Sequence, residues 1–176
     1  AKGLDFEDVT FVGVLNADLS LNIPDFRASE RTFQLLCQVS GRSGRGHKQG
    51  PVIIQTYNPD HYAITCAAHH DYKTFFYQEM KYRQKAKYPP YCHMVSILIQ
   101  SPHENLIHQV ALDVKNYLLS HSQQTIVLGP AKSTIYKMQD IYRERILVKF
   151  LHSQDIYDAL NVMNDYYNKQ QKGKVR

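Results

Sequence analysis

The sequence predicts an α/β chain in two parts, a strand–helix–strand (βαβ) unit followed by a small α+β domain of order β-α-β-β-α. Three observations carry that expectation. Val9 to Leu15 (VTFVGVL) and Pro51 to Thr56 (PVIIQT) are short, β-branched and nearly continuous in apolar residues, as in strands buried on both faces of a parallel sheet. Arg27 to Ser40 lies between them with helical periodicity, which completes the βαβ signature. Tyr88-Pro89-Pro90 then interrupts the chain, because proline lacks an N–H and restricts the residue before it. The pattern beyond the prolines has its own order.

In the first part, Asn16 to Asp25 reads as a turn segment containing Pro24. Asp25 is placed to cap the helix, whose Phe33, Leu36, Cys37 and Ser40 share one stripe. Gly41, Gly44 and Gly46 end it. His61 to Lys87 reads as one amphipathic helical stretch, with Phe75, Phe76, Met80 and Tyr82 on the apolar side and Lys73, Glu79, Lys81, Arg83 and Lys85 on the wet side.

In the second part, Tyr91 to Gln100 is a strand. Glu104 to Ser120 is a helix with Leu106, Val110, Val114 and Leu118 on one face. Thr125 to Leu128 is a short strand ended by Gly129-Pro130; Ser133 to Gln139 and Tyr142 to Phe150 form a hairpin; Ser153 to Tyr167 is a closing helix. The expected arrangement is helices on one face of a mixed sheet, with the basic Gln170 to Arg176 frayed. The segmentation is 1–60, a helical connector 61–87, and a C-terminal domain 88–176.

Composition narrows the function classes. Hydrophobic residues make up 43% of 176, enough for a packed core. The formal charge of +5 fits an anionic partner such as DNA, RNA or a nucleotide without establishing one, because an ordinary solvated surface carries the same charge. Cys37, Cys66 and Cys92 lie too far apart for a short zinc motif and are expected to be reduced thiols of a cytoplasmic protein. His69-His70 is adjacent, so on a helix the two rings diverge and no metal site is expected. Ala1 to Thr10 has no apolar signal core, and no run approaches the roughly 18 apolar residues of a membrane helix.

The chemistry is concentrated in Gln38-Val39-Ser40-Gly41-Arg42-Ser43-Gly44-Arg45-Gly46. Gln38, Arg42 and Arg45 are spaced i, i+4 and i+7, one stripe if the segment is helical. Two guanidiniums a turn apart can fork onto phosphate oxygens, and a glutamine one turn earlier can orient a water or meet a terminal phosphate. That is what an arginine finger requires, a permanent charge where negative charge develops in phosphoryl transfer. Gly41 to Gly46 also has the spacing of a phosphate-binding loop. His47-Lys48 replaces the required Lys-Ser/Thr, however, and the glycines come after a helix instead of a strand. No other such loop and no D-E-x-H box is found in the sequence.

The string Q-x-x-G-R-x-G-R-G resembles motif VI of superfamily 2 helicases. Ala1-Lys2-Gly3-Leu4-Asp5-Phe6 resembles the end of their motif V, with Gly3 and Asp5 matching. Together with VGVLNADLSLNIPDFRASERTFQLL, VIIQTYNPDHYAI, YPPYCHMV and GPAKSTIYKMQDIYRERILVK, these segments resemble the primosomal protein N′ family across essentially the whole chain.

The resemblance implies that residues 1–60 are the C-terminal part of a second RecA-like helicase lobe. Arg45 is then the finger, with Arg42 and Gln38 beside the γ-phosphate, and Gly3 and Asp5 lie near nucleic-acid phosphate and ribose. It further implies a bacterial ATP-dependent 3′–5′ DNA helicase for replication restart, using ATP and Mg²⁺. Zinc in such a protein is bound upstream of this chain, as is the start of motif V. The implied partners are fork, single-stranded and duplex DNA, other primosome proteins and single-stranded DNA-binding protein, with no membrane. The chain alone is expected to be inactive as an ATPase.

A second candidate site lies between Gly129 and Phe150. Lys132, Lys137, Arg143, Arg145 and Lys149 outnumber Asp140 and Glu144 there, with Tyr136 and Tyr142 interleaved. Basic and aromatic residues on a hairpin suit phosphate contact and base stacking, and Lys132, Tyr136, Lys137, Arg143, Arg145 and Lys149 are the candidate DNA contacts. A solvated hairpin with cross-strand charge pairs fits the same residues, and the family resemblance favours DNA. The alternative for the whole chain is a free-standing nucleic-acid-binding or primosome-interaction module with no part in ATP hydrolysis.

Overall fold

The computed structural model describes residues 10–41, 50–122 and 125–172, and the chain forms two compact units, 1–85 and 86–176. The whole is mixed α/β, with two small sheets and six helices among the described residues. None of those helices is long and apolar enough to cross a membrane.

The first unit runs β1 (Val12–Val14), α1 (Asp18–Leu21), α2 (Ala28–Ser40), β2 (Val52–Ile54), α3 (Tyr62–Ala68) and α4 (Tyr72–Lys85). β1 and β2 pair in parallel, Val12 to Val52 and Val14 to Ile54, with α2 between them in sequence. Gly50 precedes β2 where a Cβ would stand 1.9 Å from the Thr10 carbonyl oxygen, so no larger residue fits. Phe33 and Leu36 of α2, Ala63, Ile64, Cys66 and Ala67 of α3, and Phe75 of α4 form the core, against which Val14 and Ile54 pack. The 61–87 stretch thus contributes core residues to this unit.

Four expectations for this unit need correction. The strands are not buried on both faces: Phe11, Leu15 and Ile53 are exposed, because among the described residues helices cover only the Val14–Ile54 side. Asp25 is not the cap of α2, which begins after Arg27. The Asp25 carboxylate instead accepts from the Arg27 N–H at 2.9 Å and pairs with Arg31 at 2.9 Å. His61 to Lys87 is two helices, broken at His70 (φ 51°), after which Asp71 accepts from the Thr74 N–H.

Finally, Glu79 and Arg83 are buried, not wet. They extend the Phe75 stripe of α4 inward, where Arg83 Nε donates to Glu79 Oε1 at 2.7 Å and Arg83 Nη2 to Glu30 Oε2 at 2.6 Å. The Tyr62 hydroxyl donates to Glu79 Oε2 at 2.5 Å, and the Phe26 ring lies over the guanidinium. A charge can be buried when it is paired and hydrogen-bonded in this way.

Asp18, at the start of α1, is buried and ties this helix to the chain after β2. Its carboxylate accepts from the Tyr57 N–H at 2.9 Å, and from Thr56 Oγ1 and Asn58 Nδ2, both at 3.1 Å. The Tyr57 bond, opposed by burial and helped by Thr56 and Asn58, holds the carboxyl below the usual carboxylate range. A depressed folded pKa stabilises the fold above the unfolded carboxyl pKa, and the gain is lost as pH falls through the folded value. Asp18→Asn is therefore expected to lower the thermal midpoint at neutral pH, with the gap to the parent closing below about pH 4. Melting curves across that range check it, and a gap that stays constant with pH would rule out the charge as the cause.

The second unit runs β3 (His93–Ser101), α5 (Glu104–His121), β4 (Ile126–Met138), β5 (Ile141–Phe150) and α6 (Ser153–Lys172), the predicted β-α-β-β-α order. The sheet order is β3-β5-β4, and both pairings are antiparallel, so the expected mixed sheet is corrected. β4 also does not stop at Gly129-Pro130. A register shift between Leu128 and Ala131 absorbs the dipeptide, and Gly129 takes φ 101° where a Cβ would meet the Arg145 carbonyl oxygen at 2.7 Å. β4 and β5 are joined through Gln139 and Asp140, both at positive φ, as the right-handed twist of a two-residue hairpin requires. Ala111, Val114 and Leu118 of α5, Ile146, Val148 and Phe150 of β5, and Ile156 and Ala159 of α6 form one core on one face of the sheet.

Candidate nucleic-acid interface

Successive side chains of a strand point to opposite faces, so the register of β5 sorts the six candidate DNA contacts. Glu144, Ile146 and Val148 face the helices. Arg143, Arg145, Leu147 and Lys149 face away, onto an open face they share with Met94, Ser96, Leu98 and Gln100 of β3 and with Ile126, Leu128 and Ala131 of β4.

Lys132 and Lys137 pair in register with Glu144 and Tyr142, on the helix-covered side. There the Lys132 ammonium lies 4.4 Å from the Tyr136 ring centroid, and Lys137 lies 5.1 Å from that of Tyr142 while bonding Asp140 at 3.0 Å. The Asp140 hydrogen bond raises the Lys137 pKa. Tyr136 meets Tyr142 edge-on and donates to Glu104 Oε1 at 3.3 Å. Burial and the Glu104 carboxylate push the Tyr136 hydroxyl pKa up. Buried Glu144 is met by His108 Nδ1 at 3.1 Å. On this flank Lys137 pairs with Asp140 and His108 with Glu144, and Lys132 stands in register with Glu144.

Arg143 and Arg145 have no carboxylate in register with them on the open face. Arg145 is exposed, and the Nε of Arg143 is buried with no acceptor among the described residues. Lys149 is placed differently from the two arginines. It is 6% exposed, its ammonium donates to the Ala86 carbonyl at 2.9 Å, and the charge sits 3.5 Å from the Tyr88 ring centroid. Burial lowers its pKa, opposed by Cys92. Lys149→Ala is expected to destabilise this unit by about 1–3 kcal/mol through the lost hydrogen bond and ring contact. Chemical denaturation measures the loss; an unchanged midpoint would contradict the structural role.

Of the nucleotide string, Gln38 lies exposed in the last turn of α2, which ends at Ser40. Arg42, Arg45, Gly3 and Asp5 lie outside the described residues. The helical stripe inferred from their spacing therefore has a described position only for Gln38. Residues that the sequence reading passed over are Asp18, Arg83 with its two glutamates, and Leu98 and Gln100 beside the two arginines. Only the last pair had a sequence signal, the period-2 alternation of HMVSILIQ.

A three-stranded antiparallel sheet, covered by two helices on one face and carrying arginines on the other, defines a small α+β domain with a cationic open surface. Residues 84–176 match the family described as "Primosomal protein N C-terminal domain", and the chain belongs to that family. It is 42% identical over 171 residues to the Replication restart protein PriA of Bacillus subtilis, covering 97% of this chain and 21% of that protein. Against the protein of the same name from Synechocystis it is 39% identical over 150 residues, 85% of this chain and 18% of the relative. Against that of Borreliella burgdorferi it is 35% identical over 148 residues, 84% and 22%. The chain thus spans about a fifth of the length of these relatives.

Proposed function

We propose that the chain is the part of an ATP-driven 3′–5′ DNA helicase of replication restart that carries the arginine string of the motor and a DNA-binding domain. The observation that carries this reading is the arrangement of the first unit. Parallel β1 and β2 flank α2, and α2 leads directly into Gly41 and the string that holds Arg42 and Arg45. A RecA-like lobe presents its arginines from such a βαβ unit, and the names of the relatives support replication restart as the setting.

In this reading ATP with Mg²⁺ supplies the phosphoryl group, and the residues of this chain act on it from one side. Arg45 brings positive charge to the developing transition state, Arg42 forks onto phosphate oxygens, and Gln38 orients water or the terminal phosphate. Gly3 and Asp5 lie near nucleic-acid backbone and ribose. The second unit holds DNA, with fork structures, other primosome components and single-stranded DNA-binding protein as the partners implied. Segments 1–60, 61–87 and 88–176 are the lobe, its helical extension and the DNA-binding domain.

The test uses a chimera in which this chain replaces the matching fifth of the Bacillus subtilis relative. DNA-stimulated ATP hydrolysis is expected in the chimera, and none above background in the isolated chain, whose sequence has no loop to cradle the β- and γ-phosphates. Steady DNA-stimulated phosphate release by the isolated chain, or a chimera that folds and binds ATP yet never turns over, overturns the reading.

A further inference from the structure

The six basic and aromatic residues singled out by sequence do not form one surface. Lys132, Tyr136 and Lys137 stand on the helix-covered flank among Glu104, Asp140 and Glu144, where the local charge is close to balanced. Lys149 is consumed by Ala86 and Tyr88, which also places the 86–88 segment over that end of the open face. Among the described residues the other end stays open, where exposed Arg145 lies between Leu98 of β3 and Ala131 of β4, and half-buried Arg143 lies beside Gln100.

We propose that single-stranded DNA lies on this open end of the sheet, with Arg145 and Arg143 on successive phosphates and the exposed Leu98 and Leu128 against unpaired bases. The proposal rests on the DNA-binding role above and assigns it a surface. Two residues on one face of a strand stand about 6.6 Å apart, a spacing of the order of that between neighbouring phosphates of an extended single strand. Neither arginine has a carboxylate in register to neutralise it, so the field on this face attracts anions.

The neighbours suit the same ligand. Leu98 is 47% and Leu128 44% exposed, on either side of β5. Aliphatic surface of this kind gains from unpaired base faces, which a duplex keeps stacked on one another. Ala131 is small, and the Gly129-Pro130 irregularity brings β4 close against the Arg145 backbone, so the Arg145 side chain has room to reach outward.

The experiment is a fluorescence-anisotropy titration of the whole chain with a labelled oligothymidine of about 15 nucleotides, within the range of single-strand sites. Arg145→Glu is expected to raise Kd at least about tenfold. Leu98→Glu, which places a carboxylate on the face without removing a cation, is expected to do the same, because anion repulsion acts directly on the bound backbone. Leu98→Gln should cost much less, and Lys132→Glu with Lys137→Glu together less than about threefold. Thermal midpoints of the exposed-site variants should match the parent, which separates binding from folding.

The opposite pattern, loss in the double lysine variant with Arg145→Glu and Leu98→Glu intact, overturns the face while leaving DNA binding in place. Binding untouched by every variant overturns it too, and leaves the face to a protein segment. A duplex that displaces the oligothymidine as well as a single strand does overturns the strand assignment. No binding by the parent chain removes the DNA-binding reading itself.

Discussion

Replacing Arg45 by alanine in the Bacillus subtilis chimera is expected to lower kcat for ATP hydrolysis by about 10³ or more, with nucleotide affinity little changed. A finger acts on charge that exists only in the transition state, so its loss leaves the ground-state complex intact. Arg42→Lys is expected to impair turnover as well, because an ammonium cannot make the two parallel hydrogen bonds of a guanidinium. Single-turnover rates beside nucleotide-binding constants separate the two effects. A normal kcat in Arg45→Ala would take Arg45 out of the role, and a lost affinity with a normal rate at saturation would make it a binding residue.

The second large effect concerns folding. Arg83→Met is expected to destabilise the first unit by about 3–5 kcal/mol, because removing the guanidinium leaves the buried Glu79 and the partly buried Glu30 facing each other without a counter-charge. Adding Glu79→Gln to that variant should recover part of the loss, since it removes the buried charge that Arg83 answered. Urea unfolding of parent, single and double variants reads the coupling. Additive losses would mean that the two side chains contribute through packing alone.

Arg83 also shows why part of the fold was hidden in the sequence. Helical spacing puts Phe75, Glu79 and Arg83 on one stripe, but side-chain type assigns the last two to water. Their burial depends on Glu30, 53 residues from Arg83 in the chain, and no local pattern reports that. Lys149 is similar: its place among the basic residues is plain in sequence, yet its partners Ala86 and Tyr88 are about 60 positions away.

Alternation in β5, by contrast, was readable. Arg143, Arg145 and Leu147 fall on one face and Glu144, Ile146 and Val148 on the other, because period 2 is a property of the strand itself. The β-α-β-β-α order was readable from the switch between period 2 and helical spacing. Gly129-Pro130 misled because those residues usually end a strand, and only the pairing with β5 shows that a register shift can carry β4 through them. The arginine string was legible as chemistry from its residue types and spacing, whereas Arg42 and Arg45 lie outside the described residues.

The salt dependence of DNA affinity tests most directly the proposed grip on DNA through phosphate contacts. Anisotropy titrations of the parent chain at several salt concentrations should give log K falling linearly with log salt. On single strands the slope should be about −0.7 per phosphate contacted, so that Arg145→Ala makes it shallower by about one such contact. Lys149→Ala, provided it remains folded, should leave the slope where it was. An affinity independent of salt, or a slope that Lys149→Ala changes and Arg145→Ala does not, would contradict the account.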